Sequence, residues 1–354
     1  MTKTKSTNVS LSEVAHKAGV SKSTASVALN HRPGAGAATR ERILRIAQRL
    51  GYVPDARIAS WMARVQEAGS KDLLPMAWLN NHTEKIAWQK FKFLSPYLEG
   101  ARERCLQLGY RLEEIWVHEP GMTMRRVSDI IYQRGIEAVI VTQFAKHLRL
   151  NWDHLAAVSL EGTLLAPRLH RVMTDLHFNL QLACKVAKRA GYRRIGICLD
   201  QNLDRNSSHS CRAEANFLYT ATPKSDRVPP LFYSWETRTM QDREDGKAQV
   251  VAWLRRYRPD VIVGHSNQSI IWAEAAGFRV PGDIGVIHIA NDNDVSDWAG
   301  ICSNRREIGA TAVNLAISLV QNHQFGVPKI ATNTLIRGSW RPGRTLLIPK
   351  PNVR

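Results

Sequence analysis

Apolar residues recur with a helical period in three short segments near the start of the chain. In the segment Leu11 to Ala18 they lie three and four positions apart, and Gly19 follows as a left-handed helix stop. Ser21 is a suitable N-cap for a second helix over 22–29, and a third helix is predicted over about 38–50. Two short helices joined by a glycine turn and closed by a third predict a helix-turn-helix domain.

From residue 73 onward, short apolar runs alternate with amphipathic segments. Strands are predicted over 73–79, 110–117, 136–142, 155–160, 194–199, 260–264 and 284–290, with helices between them over 95–109, 176–191, 247–258, 267–277 and 305–323. This alternation predicts α/β architecture with parallel sheets covered by helices on both faces. The segment is too long for one ordinary sheet, so we expect two similar lobes with a ligand site in the cleft between them.

The net charge of +18 is concentrated at the N-terminus. Residues 1–64 hold eleven Lys and Arg against three acidic residues, whereas the other 290 residues hold 38 against 28. A basic helical module of this kind is typical of nucleic-acid binding. A solvated basic tail is the alternative, but the apolar periodicity of the segment argues against it.

Several classes of protein are not indicated by the sequence. There is no P-loop, no G-x-S-x-G and no H-E-x-x-H, and the twelve His lack metal-ligand spacing, so we expect no enzyme, metal or cofactor. No apolar run of membrane-spanning length and no signal-peptide pattern are present, so we expect no membrane partner and a cytoplasmic location. The five Cys form no C-x-x-C and are interpreted as reduced thiols.

Residues 9–55 carry a specific pattern of small, apolar and capping residues. Its parts are Leu11-x-x-Val14-Ala15-x-x-Ala18-Gly19-Val20-Ser21, Ser23-Thr24-Ala25-Ser26, Leu29-Asn30 and Gly51-Tyr52-Val53-Pro54. This pattern resembles the headpiece of the LacI/GalR family of bacterial transcription regulators. The resemblance extends more weakly over nearly the whole chain, for example at Arg134-Gly135-Ile136, Ala190-Gly191-Tyr192 and Val280-Pro281-Gly282-Asp283-Ile284. It implies a divergent member with a periplasmic-binding-protein-like core.

The resemblance implies a domain plan. We expect a headpiece over 1–52, a hinge helix or linker over 53–72 and an effector-binding and dimerisation core over 73–354. The core would divide into a first lobe of about 73–173 and 303–326 and a second lobe of about 174–302 and 327–348.

The resemblance also implies which headpiece residues contact DNA. Lys22, Ser23 and Val27 fall on the positions that read bases, although Val27 can only make apolar contact and is alternatively a packing residue. Candidates for phosphate contacts, which position the protein without specifying sequence, are Ser21, Thr24, Ser26, Asn30 and Arg40.

The linker departs from the family pattern. Where relatives insert a Leu into the central minor groove and kink the DNA, this chain offers Trp61 or Met62. The alternative is that these two side chains pack against the core.

A second set of residues is implied for an effector in the cleft. Arg212 matches the family's ligand-clamping Arg, and Asn291 or Asp292 would replace an Asp that is Ala290 here. Phe91 and Phe93 offer aromatic faces that suit sugar rings, and Asn267 and Gln268 follow a strand at the expected rim. Each of these residues is alternatively an ordinary surface or core residue.

Together these expectations describe a ligand-responsive, sequence-specific DNA-binding regulator. It would be a repressor controlled by a sugar or sugar derivative, and it would bind a pseudo-palindromic duplex operator as a homodimer and associate with the nucleoid when bound. The alternative is a sugar-binding core protein whose DNA binding is lost or non-specific.

Overall fold

The computed structural model describes residues 11–29, 36–50, 73–143, 146–234, 240–292 and 297–347. Two compact units, 1–72 and 73–354, make up the chain. In chain order the helices are α1 (Leu11–Ala18), α2 (Lys22–Leu29), α3 (Ala37–Leu50), α4 (Ala87–Lys90), α5 (Ser95–Gln107), α6 (Met124–Gln133), α7 (Leu176–Arg189), α8 (Gln201–Asn206), α9 (Ser210–Ala221), α10 (Met240–Tyr257), α11 (Ser269–Ala275) and α12 (Arg305–Gln321). The strands are β1 (Leu74–Asn80), β2 (Tyr110–Trp116), β3 (Ala138–Val141), β4 (Ala156–Leu160), β5 (His170–Thr174), β6 (Ile195–Asp200), β7 (Leu231–Tyr233), β8 (Val261–Gly264), β9 (Gly285–His288), β10 (Gly300–Cys302), β11 (Asn333–Ile336) and β12 (Ser339–Arg341).

The N-terminal unit is a three-helix module with a core of small side chains. Its buried residues are Val14, Ala15, Ala18, Ala25, Ala28, Ile43 and Ala47. Gly19 adopts φ 62° and ends α1, with its N–H donating to His16 O and the Val20 N–H donating to Ala15 O. This pair of hydrogen bonds is the Schellman motif, which only a residue tolerant of left-handed geometry can complete without strain. The predicted helix-turn-helix arrangement is confirmed.

The core unit consists of two six-stranded sheets, each with helices on its faces. The first lobe has the order β11-β5-β4-β3-β1-β2 with every pairing parallel, and the second has β12-β10-β9-β8-β6-β7. In the second lobe only the β10–β12 pair of the described strands is antiparallel. The predicted two-lobed α/β architecture is therefore confirmed.

Each lobe buries apolar side chains on both faces of its sheet. In the first lobe α5 and α12 cross closely, because Gly100 lies against the backbone of Arg306 and Gly309 lies against the backbone of Tyr97. These contacts join the first half of the chain to a helix more than 200 residues later. No helix within the described ranges is long and apolar enough to cross a bilayer.

The chain crosses between the lobes three times, after Thr174, after Cys302 and after Ile336. The last crossing corrects an expected boundary, since 327–336 was assigned to the second lobe but β11 pairs with β5 in the first. This edge strand has only alternate side chains half-buried, so its sequence carries little apolar signal. Its place depends on pairing with a strand that is distant in sequence.

Candidate functional site

The start of α2 is fixed by a side-chain cap. Ser21 Oγ accepts a hydrogen bond of 3.1 Å from the Thr24 N–H and lies 2.8 Å from Thr24 Oγ1. Satisfying an exposed amide in this way holds the N-terminus of the helix that was predicted to read DNA. Because both hydroxyls take part in the cap, Ser21 and Thr24 have a structural role in addition to any phosphate contact.

The other predicted DNA contacts are only partly covered by the structure. Lys22, Ser23, Ser26 and Val27 lie on α2, but their side chains fall outside the described detail. Arg40 lies in the first turns of α3 and is half-buried. Asn30, Trp61 and Met62 lie outside the described residues. Their assignment to DNA contacts therefore stays a prediction.

In the core, segments that follow the carboxyl ends of strands in the two lobes come into contact where the ligand cleft is expected. Gly162, just after β4 of the first lobe, packs against the backbone of Asn206 at the end of α8 in the second lobe. Loops beyond the carboxyl ends of strands are where ligands bind in open α/β sheets. The structure thus brings the expected ligand-binding edges together.

A row of aromatic rings lines the first lobe at this edge. Phe91 and Phe93 lie with ring centroids 5.8 Å apart, and the His82 ring lies 5.6 Å from Phe91. Both Phe rings are half-buried and pack against the first lobe's core. Partly exposed ring faces of this kind can stack against the apolar face of a sugar.

Arg212 on α9 is fixed by three interactions within the second lobe. Its Nε and its backbone N–H both donate to the Asp204 carboxylate, at 2.9 and 3.0 Å, and its guanidinium carbon lies 3.9 Å from the centroid of the Phe232 ring. The side chain is still 43% exposed. A guanidinium held by one edge and one face presents its remaining N–H groups in a fixed direction, which suits a hydroxylated or anionic ligand.

Asp204 is the buried carboxylate that positions Arg212. It also accepts a 2.9 Å hydrogen bond from His209 Nδ1. Burial alone would raise the pKa of Asp204, but the hydrogen bonds from His209 and Arg212 outweigh burial and leave this pKa below its usual value. Asp204 was not predicted as a functional residue, because its pairing with Arg212 requires left-handed turns at Ser208 and His209.

Asp292 takes part in an ion pair that joins the lobes. Its Oδ2 lies 3.0 Å from Nε of Arg305, and its Oδ1 accepts from the Ser303 N–H. Arg305 Nη1 in turn donates to the carbonyl of Phe93, and its guanidinium lies 5.8 Å from the ring centroids of both Phe93 and Tyr97. Both carboxylate oxygens of Asp292 are thus engaged by the protein itself.

The three predicted amide residues differ in their surroundings. Asn267 is exposed, and Gln268 precedes α11 with its N–H donating to Ser266 Oγ. Asn291 is fully buried and donates from Nδ2 to the carbonyl of Trp298 at 2.6 Å. Asn267 and Gln268 therefore remain accessible to a ligand, whereas Asn291 holds the loop that follows β9.

Two His lie at the carboxyl end of the second lobe's sheet, His265 directly after β8 and His288 as the last residue of β9. His288 Nε2 donates to the carbonyl of His265 at 2.7 Å, and its Nδ1 accepts from the Ala290 N–H, so the neutral imidazole satisfies both contacts. Burial and the neighbouring His265 lower the pKa of His288 to about 3. Burial and Arg305 lower the pKa of His265 to about 4.

The candidate ligand residues differ in kind from the usual ligands of a metal centre. Within the part of the chain that the structure describes, no cluster of His, Cys, Asp or Glu could hold a metal ion. The candidate residues instead offer aromatic rings, a positioned guanidinium and amide groups. Such a combination can orient a polar small molecule by hydrogen bonds and stacking.

Two family models match the chain. Residues 10–55 match the lacI family of bacterial regulatory proteins, and residues 186–340 match a periplasmic binding protein-like domain. A curated relative is an uncharacterised helix-turn-helix transcriptional regulator of Streptomyces limosus, 24% identical over 94% of this chain and 95% of its own length.

Solved structures share the fold over nearly the whole chain. A transcriptional regulator CelR in complex with cellobiose is 16% identical, covers 95% of this chain and 99% of its own, and has a TM-score of 0.56. A lac repressor dimer bound to operator and an anti-inducer is 18% identical, covers 95% of this chain and 98% of its own, and has a TM-score of 0.54.

Proposed function

We propose that this chain, a DNA-binding transcription regulator of the lacI family, is a repressor controlled by a sugar or sugar derivative bound between the lobes of its core. The observation that carries the ligand part is that Arg212 is held by Asp204 and Phe232 on the segment that follows β6, while the Phe91–Phe93 pair lies on the segment that follows β1. The cellobiose-bound regulator of the same fold supports this class of ligand.

Ligand binding in the cleft regulates DNA binding by favouring one arrangement of the lobes. An effector can shift this equilibrium only by its difference in affinity for the two arrangements. A homodimer presents two headpieces, so the operator is a pseudo-palindrome with one half-site for each α2. The protein works in the bacterial cytoplasm and lies on the nucleoid when bound to its operator.

The experiment that tests this function is selection of bound sequences from random duplex DNA, with and without a panel of mono- and disaccharides. We expect a two-fold-related consensus bound about 1,000-fold or more above random DNA, and one class of sugar that changes this affinity. Binding of specific and random duplexes within about tenfold would reject the regulator and favour a core protein with non-specific DNA binding. A consensus insensitive to every sugar would retain the regulator and reject the carbohydrate effector.

A further inference from the structure

The two lobes meet at one point on the rim of the cleft with no space for a side chain. Gly162 is buried against the backbone carbonyl of Asn206, and a methyl group at Gly162 would overlap that oxygen. The backbone of Gly162 is not in the left-handed region, so glycine is needed here for space and not for conformation. Any larger residue must separate the lobes at this point or displace one of the two loops.

On the first lobe, the loop that carries Gly162 is firmly held. The preceding residue, Glu161, has φ 57°, a conformation that persists in a non-glycine residue only when its surroundings enforce it. Its carboxylate accepts from Tyr97 Oη at 2.6 Å and from the hydroxyl and N–H of Thr174 at 2.9 and 3.2 Å. Thr174 is the last residue of β5 before the chain crosses to the second lobe, so the loop is tied to the interlobe connection.

On the second lobe, the end of α8 is tied to the candidate ligand clamp. Asp204 lies two residues before Asn206 and accepts from both the backbone and the side chain of Arg212. Ser207 Oγ donates to the carbonyl of Asp204 and closes the turn that follows α8. The buried Asp204 carboxylate therefore connects the Arg212 guanidinium directly to α8.

We propose that Gly162 and Asn206 form the closure contact of the cleft, and that Asp204 is the positioning residue that links this contact to ligand binding at Arg212. The link to ligand binding rests on the proposed function, whereas the contact between the lobes does not. Because hydrogen bonds hold the loops on both sides, the contact exists in one arrangement of the lobes and is lost when they separate. A ligand that engages Arg212 thereby shifts the equilibrium between the two arrangements.

The contact is tested by hydrogen exchange of the full chain, comparing Gly162→Ala with the matched control Gly282→Ala. A methyl at Gly282 meets only ordinary van der Waals contact, with Arg279 Cβ at 3.9 Å. In Gly162→Ala we expect amides of 203–210, on the opposite lobe, to exchange faster by about tenfold, since they lose the partner that covers them. Faster exchange confined to the loop around Gly162, or no change, would overturn the contact; the control should match the parent protein.

A second variant tests the link without changing the glycine. Asp204→Asn keeps the side-chain shape but weakens acceptance from Arg212 and His209, so we expect faster exchange at 160–164 in the first lobe. If exchange becomes faster only at residues 200–215, the state of α8 does not affect the first lobe, and the proposed link is wrong. Neither measurement requires DNA or a sugar, so both remain decisive if no operator or effector is found.

Once the sugar panel identifies an effector, the same variants report on regulation. In Gly162→Ala, the ratio of operator affinities with and without that sugar should fall by about tenfold, because the closed arrangement is no longer available. An unchanged ratio would overturn the role of the contact in regulation. Failure of the proposed function appears differently, as the absence of any operator or any sugar response in the parent protein.

Discussion

Arg305, the first residue of α12 in the first lobe, forms a buried ion pair with Asp292, which follows β9 in the second lobe. The two side chains are only 11% and 5% exposed, and their charged atoms lie 3.0 Å apart. Burying both charges is costly, so each depends on the other for compensation. The pair joins the lobes beside the crossing at Cys302 and assigns Asp292 to the lobe junction.

Removing either partner should destabilise the core strongly. We expect Asp292→Ala to lower the free energy of unfolding by about 3–5 kcal/mol, because the Arg305 guanidinium stays buried without its carboxylate. Urea unfolding of the full chain measures this loss. The control Asp283→Ala breaks the exposed Arg279–Asp283 pair, which solvent screens, so its loss should be much smaller. Equal losses in the two variants would contradict the assigned role of the Asp292–Arg305 pair.

His288 should make the core sensitive to acid. Its pKa is about 3 in the folded protein, whereas an unfolded His titrates near 6.5, so between these values only the unfolded state binds the proton. The free energy of unfolding should therefore fall as the pH drops from about 6.5 towards 3, by at most about 1.4 kcal/mol per pH unit from this group. Stability is retained above pH 6.5.

The measurement is urea unfolding at pH 7.5, 6 and 5 for the parent, His288→Gln and His154→Gln. In His288→Gln the free energy of unfolding should fall less between pH 7.5 and pH 5 than in the parent, even if the variant is less stable at pH 7.5. His154 is exposed, and its replacement should leave the decline as in the parent. If the free energy of unfolding falls by the same amount in all three proteins, His288 is not a source of the acid sensitivity.

The sequence predicts the fold best where a local signal is complete. The Gly19 stop and the Ser21 cap define the headpiece helices closely. The apolar run of β3, and that of β4 interrupted only by Ser159, identify strands buried on both faces. The sequence does not predict β5, β7, β10, β11 and β12, because β5, β11 and β12 mix polar with apolar residues and β7 and β10 have only three residues each. Their existence depends on pairing with neighbours that the local pattern does not reveal.

The candidate site could also be predicted only in part from the sequence. Arg212 could be identified from resemblance, and the aromatic pair from its position after β1. The partners that orient these groups could not, since the Asp204–Arg212 pair depends on two left-handed residues and Arg305 reaches Phe93 only through the fold. Residues that act through distant partners carry no periodic signal of their own.

Lys22 should contribute to sequence discrimination more than to general DNA affinity. A Lys at a base-reading position can donate to guanine, so Lys22→Ala should reduce the preference for operator over random duplex by about 1–3 kcal/mol. Competition binding at fixed salt measures the preference. Lys247→Ala removes the same charge from the core unit and should leave the preference unchanged. Equal effects of the two substitutions would indicate that Lys22 contributes only charge.

Replacement of the linker wedge should reduce DNA bending. If Trp61 or Met62 inserts between base steps, its substitution by Gly removes the apolar group that unstacks them, and both bending and operator affinity should fall. Gel mobility of circularly permuted operator fragments measures the bend. Substitution of the same residue by Leu should retain bending, since Leu also provides an apolar wedge. Unchanged bending in both Gly variants would instead favour packing of these side chains against the core.

Arg212→Lys should weaken the response to effector although it keeps the charge. Lys lacks the planar fork that bonds Asp204 and stacks on Phe232, so the positive charge is no longer held in one direction. We expect about tenfold or more loss of effector affinity, measured by calorimetry with the sugar found in the panel. The matched control is Arg227→Lys, which changes another stacked Arg of the same lobe, 5.5 Å from the Tyr219 ring. The control should keep the parent's affinity for the effector. If Arg212→Lys also keeps that affinity, Arg212 does not belong to the ligand site, and Asp204 has a purely structural role.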